Sequence, residues 1–169
     1  RSIEDRCVGI SANAEPFTPI ECVREALDHA RDLSADSVVS YGGGNAIGLA
    51  KVLADELDVP FIAIPTTYSG SETTTLQAVR EDGKRVQFAS PRMLPKSIIY
   101  DPELNLGLPA DIAVPSGFNS MAQGVSSFFA ETRNPVVALN AEGGIRAMAS
   151  ALERIANDPS DLDARGDAL

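Results

Sequence analysis

The sequence predicts an α/β fold with a parallel sheet and a β-hairpin, followed by the start of an all-helical part. Short apolar runs rich in β-branched residues alternate with helical segments, as in a parallel sheet covered by helices on both faces. After Asp101 only helical periodicity remains. We therefore divide the chain into an α/β part at residues 1–107 and a helical part at residues 108–169.

The α/β part is predicted to open with a short strand in RCVGIS and a helix in TPIECVREALDHARDLSA. Thr18 is the expected N-cap of this helix, and Pro19 suits its first turn. Three further elements then alternate strand, helix and strand: SVVSY, AIGLAKVLADELD and FIAIP.

A β-hairpin is predicted next, because two extended runs meet at Asp82-Gly83, a type I′ turn signal. KSIIYDP supplies one more short strand. Beyond it, two long segments have helical periodicity, and Pro135 stands where the second should begin.

Composition excludes several classes of function. The net charge of −10 argues against broad nucleic-acid binding, which needs a basic face. No apolar run approaches the roughly 20 residues of a membrane span. Cys7 and Cys22 lie far apart without metal-ligand spacing, so we expect buried, reduced thiols in a cytoplasmic protein.

A glycine-rich loop, Gly42-Gly43-Gly44-Asn45, lies between a predicted strand and the start of a helix. The first-turn amides of a helix are unpaired and carry the positive end of its dipole. Glycines let a diphosphate approach those amides closely, so the loop predicts a nucleotide site. The alternative is a glycine turn without a ligand.

Hydroxyl-bearing residues follow the next predicted strand, in the stretch IPTTYSGSETT. Thr66, Thr67 and Ser69 should lie at the edge of the sheet where parallel strands end, and their hydroxyls can bind ribose or amide groups of a nucleotide. The alternative is that they cap a helix or turn.

Four stretches together resemble the iron-containing alcohol dehydrogenase superfamily, and within it the maleylacetate reductase branch: GGGNAIGLAK, PTTYSGSE, YDPEL and GFNSMAQG. They occur in the order and spacing seen there. The resemblance implies a Rossmann-like nucleotide domain, followed by a helical domain, and NADH or NADPH as cofactor. It suggests that the chain lacks the first strands and most of the helical domain.

The resemblance implies that Gly43, Gly44 and Asn45 contact the cofactor diphosphate. Gly42, which precedes them, belongs to the same cofactor site. Thr66, Thr67 and Ser69 would line the adenosine and ribose region. Arg85 stands where relatives carry a lysine near the ribose, although it can equally be an exposed cation of the hairpin.

Metal-dependent members of the family use one aspartate and three histidines, whereas this chain has a single histidine, His29, on the polar side of a helix. The resemblance places Asn119 at the aspartate position and Gln123 at a histidine position. We therefore expect no metal and no metal ligands in this chain.

Asn119 and Gln123 are four residues apart and share one helix face, from which they can hydrogen-bond a substrate. Neither can act as a general acid near neutral pH. Tyr68 is a conceivable proton donor, but packing against the loop is the stronger interpretation, so the catalytic residues stay unassigned.

The resemblance implies an NADH-dependent reductase that converts maleylacetate to 3-oxoadipate in aromatic degradation. The alternative is a truncated, degenerate or repurposed member with a non-redox biosynthetic role or a binding role. Gln123 and Ser126 favour this alternative, as does the early end of the chain. A homodimer is expected to cover the exposed sheet edge and the incomplete helical layer.

Overall fold

The computed structural model describes residues 6–169, and their contacts divide into two compact units. The first unit runs through Ile64 and resumes at Ser71–Ile99, and the second comprises Pro65–Gly70 and Tyr100–Leu169. The boundary between the two units thus falls near residue 100, and Pro65–Gly70 belongs to the second unit. The predicted domain boundary after residue 107 stays a prediction.

The first unit contains two α-helices and five strands in the described part of the chain. Five of these elements are α1 Ile20–Asp32, β1 Val38–Gly42, α2 Gly44–Leu57, β2 Phe61–Pro65 and β5 Ser97–Ile98. Strands β1, β2 and β5 form one sheet in that order, and β2 runs parallel to β5.

The predicted hairpin is confirmed as a separate two-stranded antiparallel sheet of β3 (Leu76–Glu81) and β4 (Lys84–Ala89). Its turn residues Asp82 and Gly83 have φ angles of 49° and 73°. A type I′ turn requires positive φ at both positions, which is why this dipeptide identifies the hairpin in the sequence.

The core of the first unit lies mainly on one side of the sheet. Phe61 and Ala63 of β2 pack against Ala50 and Ala54 of α2, while α1 packs with α2 and Val79 of the hairpin. The expectation of strands buried on both faces is wrong for the described residues, because α1 covers α2 and the hairpin rather than the second face. Three apolar side chains on that face are exposed: Val39, Tyr41 and Ile62.

Three expectations near the start of the chain are also wrong: the strand in RCVGIS, the burial of Cys7 and the N-cap at Thr18. RCVGIS forms no strand, and Cys7 within it is exposed, whereas Cys22 is buried and both are free thiols. The N-cap of α1 is Pro19 rather than Thr18. Thr18 has a φ of 49°, and its hydroxyl accepts a hydrogen bond from Gln77 Nε2 at 3.1 Å instead.

The second unit contains four helices in the described residues. Pro135 begins the longest of them, as predicted, and Asn134 caps it by accepting from Val137 N–H at 3.0 Å. Among the described helices, none is long and apolar enough to cross a bilayer. The helices are α3 Pro102–Asn105, α4 Ala110–Ser127, α5 Pro135–Asn157 and α6 Leu162–Ala168.

Helices α4 and α5 pack closely because glycine lies at their contact. A Cβ atom added at Gly117 would lie 2.6 Å from Leu152 Cδ2, closer than Cβ contacts come in proteins. The core of this unit also contains Met148, Ile155 and Ala164. The predicted start of an all-helical part is confirmed.

Candidate functional site

The glycine loop forms the N-terminus of α2. Gly43 is the N-cap with an extended backbone, and the first helical hydrogen bond runs from Ile47 N–H to Gly43 C=O at 3.1 Å. The amides of residues 44–46 therefore have no acceptor within the helix. No side chain caps this end, and the first turn carries no acidic residue. The arrangement suits an anion such as a diphosphate.

Gly42 ends β1 with a φ of 144°, a conformation that residues with a side chain rarely adopt. A Cβ atom at this position would also lie 2.9 Å from Ala46 Cβ. Gly42 is thus required by the turn itself. The structure confirms the position of the loop between strand and helix, while its binding of a cofactor stays a prediction.

Lys51, about two turns after Gly44 on α2, is fully buried. Its ammonium donates to the carbonyl oxygens of Ser71 and Leu76, each at 2.7 Å, and to Thr74 Oγ1 at 2.9 Å. Burial lowers the pKa of Lys51 to about 8, and the charge of Glu72 opposes that shift. Lys51 thus joins α2 to the segment that leads into β3.

This pKa has a consequence for stability at alkaline pH. Between about pH 8 and pH 10.5 the unfolded chain holds a proton on Lys51 that the folded chain has released. Since stability rises with pH where the unfolded state binds more protons, we expect the free energy of unfolding to rise by about 1–3 kcal/mol across this window, relative to Lys51→Met.

Urea unfolding at a series of pH values measures this difference. Lys96→Met, a change at an exposed lysine of the same unit, is the matched control and should parallel the wild type. Parallel curves for the wild type and Lys51→Met would show that Lys51 does not titrate in this window.

The segment Thr66–Ser69 belongs to the second unit and is held in place at its backbone. Thr66 C=O accepts from Asn105 Nδ2 at 2.7 Å, and Tyr68 N–H donates to Ser116 Oγ at 3.1 Å. Thr67 Oγ1 is buried and has no hydrogen-bond partner among the described residues. An unsatisfied buried hydroxyl is uncommon in proteins. The contact of Thr67 with a cofactor stays a prediction.

Tyr68 is buried, and its hydroxyl donates to Asn105 Oδ1 at 2.6 Å. Burial raises the pKa of Tyr68, against the lowering effect of the nearby Arg165 guanidinium. The hydroxyl is therefore neutral near pH 7 and already engaged. Tyr68 packs in the core of the second unit, as the stronger of the two sequence interpretations expects, and its role as a proton donor stays a hypothesis.

Asn105 and Arg165 were not predicted from the sequence. Both are fully buried, and Arg165 Nη1 donates to Asn105 Oδ1 at 3.2 Å. Asn105 directly follows the YDPEL stretch, which is the one signal that could have drawn attention to it.

The other predicted site residues lie on the surface. Arg85 is exposed on β4, opposite Arg80 in the hairpin. Asn119 and Gln123 are exposed on α4, one turn apart as predicted. The proposed contacts of these three residues with cofactor or substrate stay predictions.

The described residues do not fit a metal ion by themselves. Within residues 6–169, no three side chains of histidine, cysteine, aspartate or glutamate come together as a ligand group. His29 is exposed on α1, as expected. Amide side chains such as those of Asn119 and Gln123 are poor ligands for iron. We derive no step through a metal, and metal independence stays a prediction.

Comparison with known proteins finds the same family that the stretches GGGNAIGLAK, PTTYSGSE, YDPEL and GFNSMAQG resemble. The model of the family "Iron-containing alcohol dehydrogenase" matches residues 3–102. The maleylacetate reductase of Sphingobium indicum is 43% identical over 99% of this chain and 48% of its own. The maleylacetate reductase of Burkholderia cepacia is 46% identical over 97% of this chain and 47% of its own.

The same relationship holds in three dimensions. The crystal structure of maleylacetate reductase from Rhizobium sp. strain MTP-10005 superposes with a TM-score of 0.92 at 42% identity, over 96% of this chain and 46% of that one. The chain spans about half the length of the curated relatives it matches. The glycine loop, the fold and the matched family model together show that this chain belongs to the iron-containing alcohol dehydrogenase family.

Proposed function

We propose that the chain is part of an NADH-dependent maleylacetate reductase, which reduces the carbon–carbon double bond of maleylacetate to give 3-oxoadipate. The observation that carries this proposal is the 43% and 46% identity to two maleylacetate reductases over nearly the whole chain. The geometry at the start of α2 supports it, because unpaired amides without a nearby acidic side chain favour a diphosphate.

In this proposal the amides of residues 44–46 hold the cofactor diphosphate, and Asn45, exposed beside them, adds a side-chain amide. By resemblance, Thr66, Thr67 and Ser69 are proposed for the adenosine and ribose region of the cofactor. When bound, NADH supplies a hydride to one alkene carbon, and the neighbouring carbon takes a proton, which yields 3-oxoadipate and NAD⁺.

Asn119 and Gln123 are proposed to bind the substrate. Their side chains leave one face of α4 one turn apart, and amide N–H groups can donate to the carboxylates of maleylacetate. These residues orient the substrate and support negative charge that develops in it. An amide does not release a proton near pH 7, so neither residue supplies the proton of the reaction.

The test is oxidation of NADH by the 169-residue chain, followed by its absorbance, with and without maleylacetate. Oxidation that depends on maleylacetate and produces 3-oxoadipate supports the proposal. NADH binding without turnover would show that this chain holds the cofactor site alone. Absence of NADH binding would contradict the proposal and favour the non-redox alternative. Parallel assays with NADPH decide between the two cofactors.

We further propose that copies of the chain associate as a homodimer. Apolar side chains on the helical unit are exposed to solvent, and burying them in a partner is favourable. Light scattering after size-exclusion chromatography tests this, and a monomer at all concentrations would contradict it. The exposed side chains concerned are Phe118, Phe129, Val136 and Leu139.

A further inference from the structure

The side chain of Gln77 on β3 lies against Gly48 of α2, and both residues belong to the first unit. A Cβ atom added at Gly48 would lie 2.6 Å from Gln77 Nε2 and 3.1 Å from both Cδ and Oε1. The first of these distances is shorter than Cβ contacts come in proteins. The absence of a side chain at Gly48 therefore leaves the space that the Gln77 amide occupies.

The neighbours of this amide determine which way it faces. Gln77 Nε2 donates to Thr18 Oγ1 at 3.1 Å and to the carbonyl oxygen of Ala78 at 3.0 Å. A carbonyl oxygen only accepts hydrogen bonds, so the NH₂ group of Gln77 must face Ala78. Within residues 6–169 Gln77 Oε1 accepts no hydrogen bond. Gln77 is half-buried, and its Oε1 is not one of the fully buried unpaired atoms in this range, so it is open to solvent.

Thr18 holds the amide from a position that is itself fixed to β3. The carbonyl oxygen of Thr18 accepts from Arg80 N–H at 3.1 Å, and Pro19 forms a parallel bridge with Arg80. Thr18 is buried and has a φ of 49°, which a β-branched residue adopts only where its surroundings impose it. The Gln77 side chain is thus ordered before any ligand binds, which reduces the entropy that binding costs.

Gly48 lies one helical turn after Gly44, on the same face of α2. Four residues rise about 6 Å along a helix, so the Gln77 amide packs one turn beyond the amides that are proposed to hold the diphosphate. In a nicotinamide dinucleotide each phosphate is bonded to a ribose, so ribose hydroxyls come next after the diphosphate. A hydroxyl needs an acceptor, and side-chain oxygens commonly accept from ribose hydroxyls in dinucleotide sites.

We propose that Gln77 is a cofactor-binding residue: its Oε1 accepts a hydrogen bond from a ribose hydroxyl that lies next to the diphosphate. Gly48 contributes by leaving the space in which the amide lies. This inference rests on the proposed function, because it needs a dinucleotide at the start of α2. The contact comes from the hairpin and lies in the same unit as the start of α2.

Two variants test the contact in different ways. Gln77→Met removes the amide and keeps a side chain of similar length. Gly48→Ala keeps the amide but places a methyl group where it lies, and alanine favours the helix, so this variant should fold. Calorimetric titration measures the Kd of each variant for NADH, ADP and inorganic diphosphate. Gln87→Met, at an exposed glutamine of the same hairpin, is the matched control.

We expect both variants to raise the Kd for NADH by about threefold to tenfold, the ratio that corresponds to a lost neutral hydrogen bond. The Kd for inorganic diphosphate, which has no ribose, should stay unchanged in both. ADP separates the two riboses of the cofactor. A raised Kd for ADP assigns the contact to the adenosine ribose, and an unchanged one assigns it to the nicotinamide ribose. The control should bind all three ligands as the wild type does.

The outcomes separate the ribose contact from the proposed function. A Kd for diphosphate that rises as much as the Kd for NADH would show a general distortion of α2 and would overturn the ribose contact. If the wild type binds NADH and both variants bind it with the same Kd, the ribose contact is overturned and the proposed function stands. If the wild type does not bind NADH, the proposed function is overturned and the ribose contact with it.

Discussion

Replacement of Gly44 by valine is expected to weaken NADH binding by roughly 100-fold. The variant should lose one or two charge-assisted hydrogen bonds to the diphosphate, and each contributes about 1.5–3 kcal/mol. Gly44 is the first residue of α2, where the amides have no acceptor within the helix. A branched side chain there would stand between those amides and a diphosphate. Calorimetric titration of the variant with NADH measures the change.

The matched control for this prediction is Gly144→Val in the middle of α5. A Cβ atom at Gly144 meets nothing within 4 Å, so the same chemical change there should leave both folding and NADH binding intact. If the Gly44→Val variant binds NADH as tightly as the wild type, the diphosphate does not approach the start of α2.

Replacement of Arg165 by methionine is expected to lower the free energy of unfolding by about 3 kcal/mol, since buried acceptors left without a donor cost about 1–3 kcal/mol each. The change removes the donors to Leu108 C=O, Pro159 C=O and Asn105 Oδ1. Methionine fills much of the same volume, so the loss reports chiefly the polar contacts. Urea-induced unfolding measures it.

Arg154→Met is the control for this experiment. Arg154 is 41% exposed and pairs with Asp161 and Asp167, and solvent weakens ion pairs at the surface, so this variant should lose less stability than Arg165→Met. The two arginines lie in the same unit, but Arg154 pairs with carboxylates near the surface whereas Arg165 donates to buried neutral oxygens. Equal losses for the two variants would contradict the view that Arg165 satisfies a buried cluster.

Local signals in the sequence predict much of the fold. Asp82-Gly83 predicts the hairpin because its turn needs positive φ at both residues, and those two residues tolerate it. Pro135 predicts the start of α5 for a similarly local reason, because a residue without N–H suits the first turn of a helix, and the structure adds the side-chain cap of Asn134. The glycine loop can be recognised in the sequence because glycine itself allows the positive φ angle that Gly42 adopts.

Features that depend on distant contacts are not predictable in this way. RCVGIS has the composition of a strand, but a strand forms only where another one pairs with it, and none does among the described residues. Asn105 and Arg165 are residue types that are mostly exposed, and they are 60 positions apart in the sequence. Their burial follows from the packing of α3 and α6, which no local pattern encodes.

The most direct test of the central claim, a nicotinamide dinucleotide site at the start of α2, is calorimetric titration of the 169-residue chain with NADH, repeated in the presence of excess ADP-ribose. The account predicts saturable heat with one NADH per chain. ADP-ribose carries the same diphosphate, so it should abolish that heat by competition. No heat with NADH, or heat that ADP-ribose leaves unchanged, would contradict the claim.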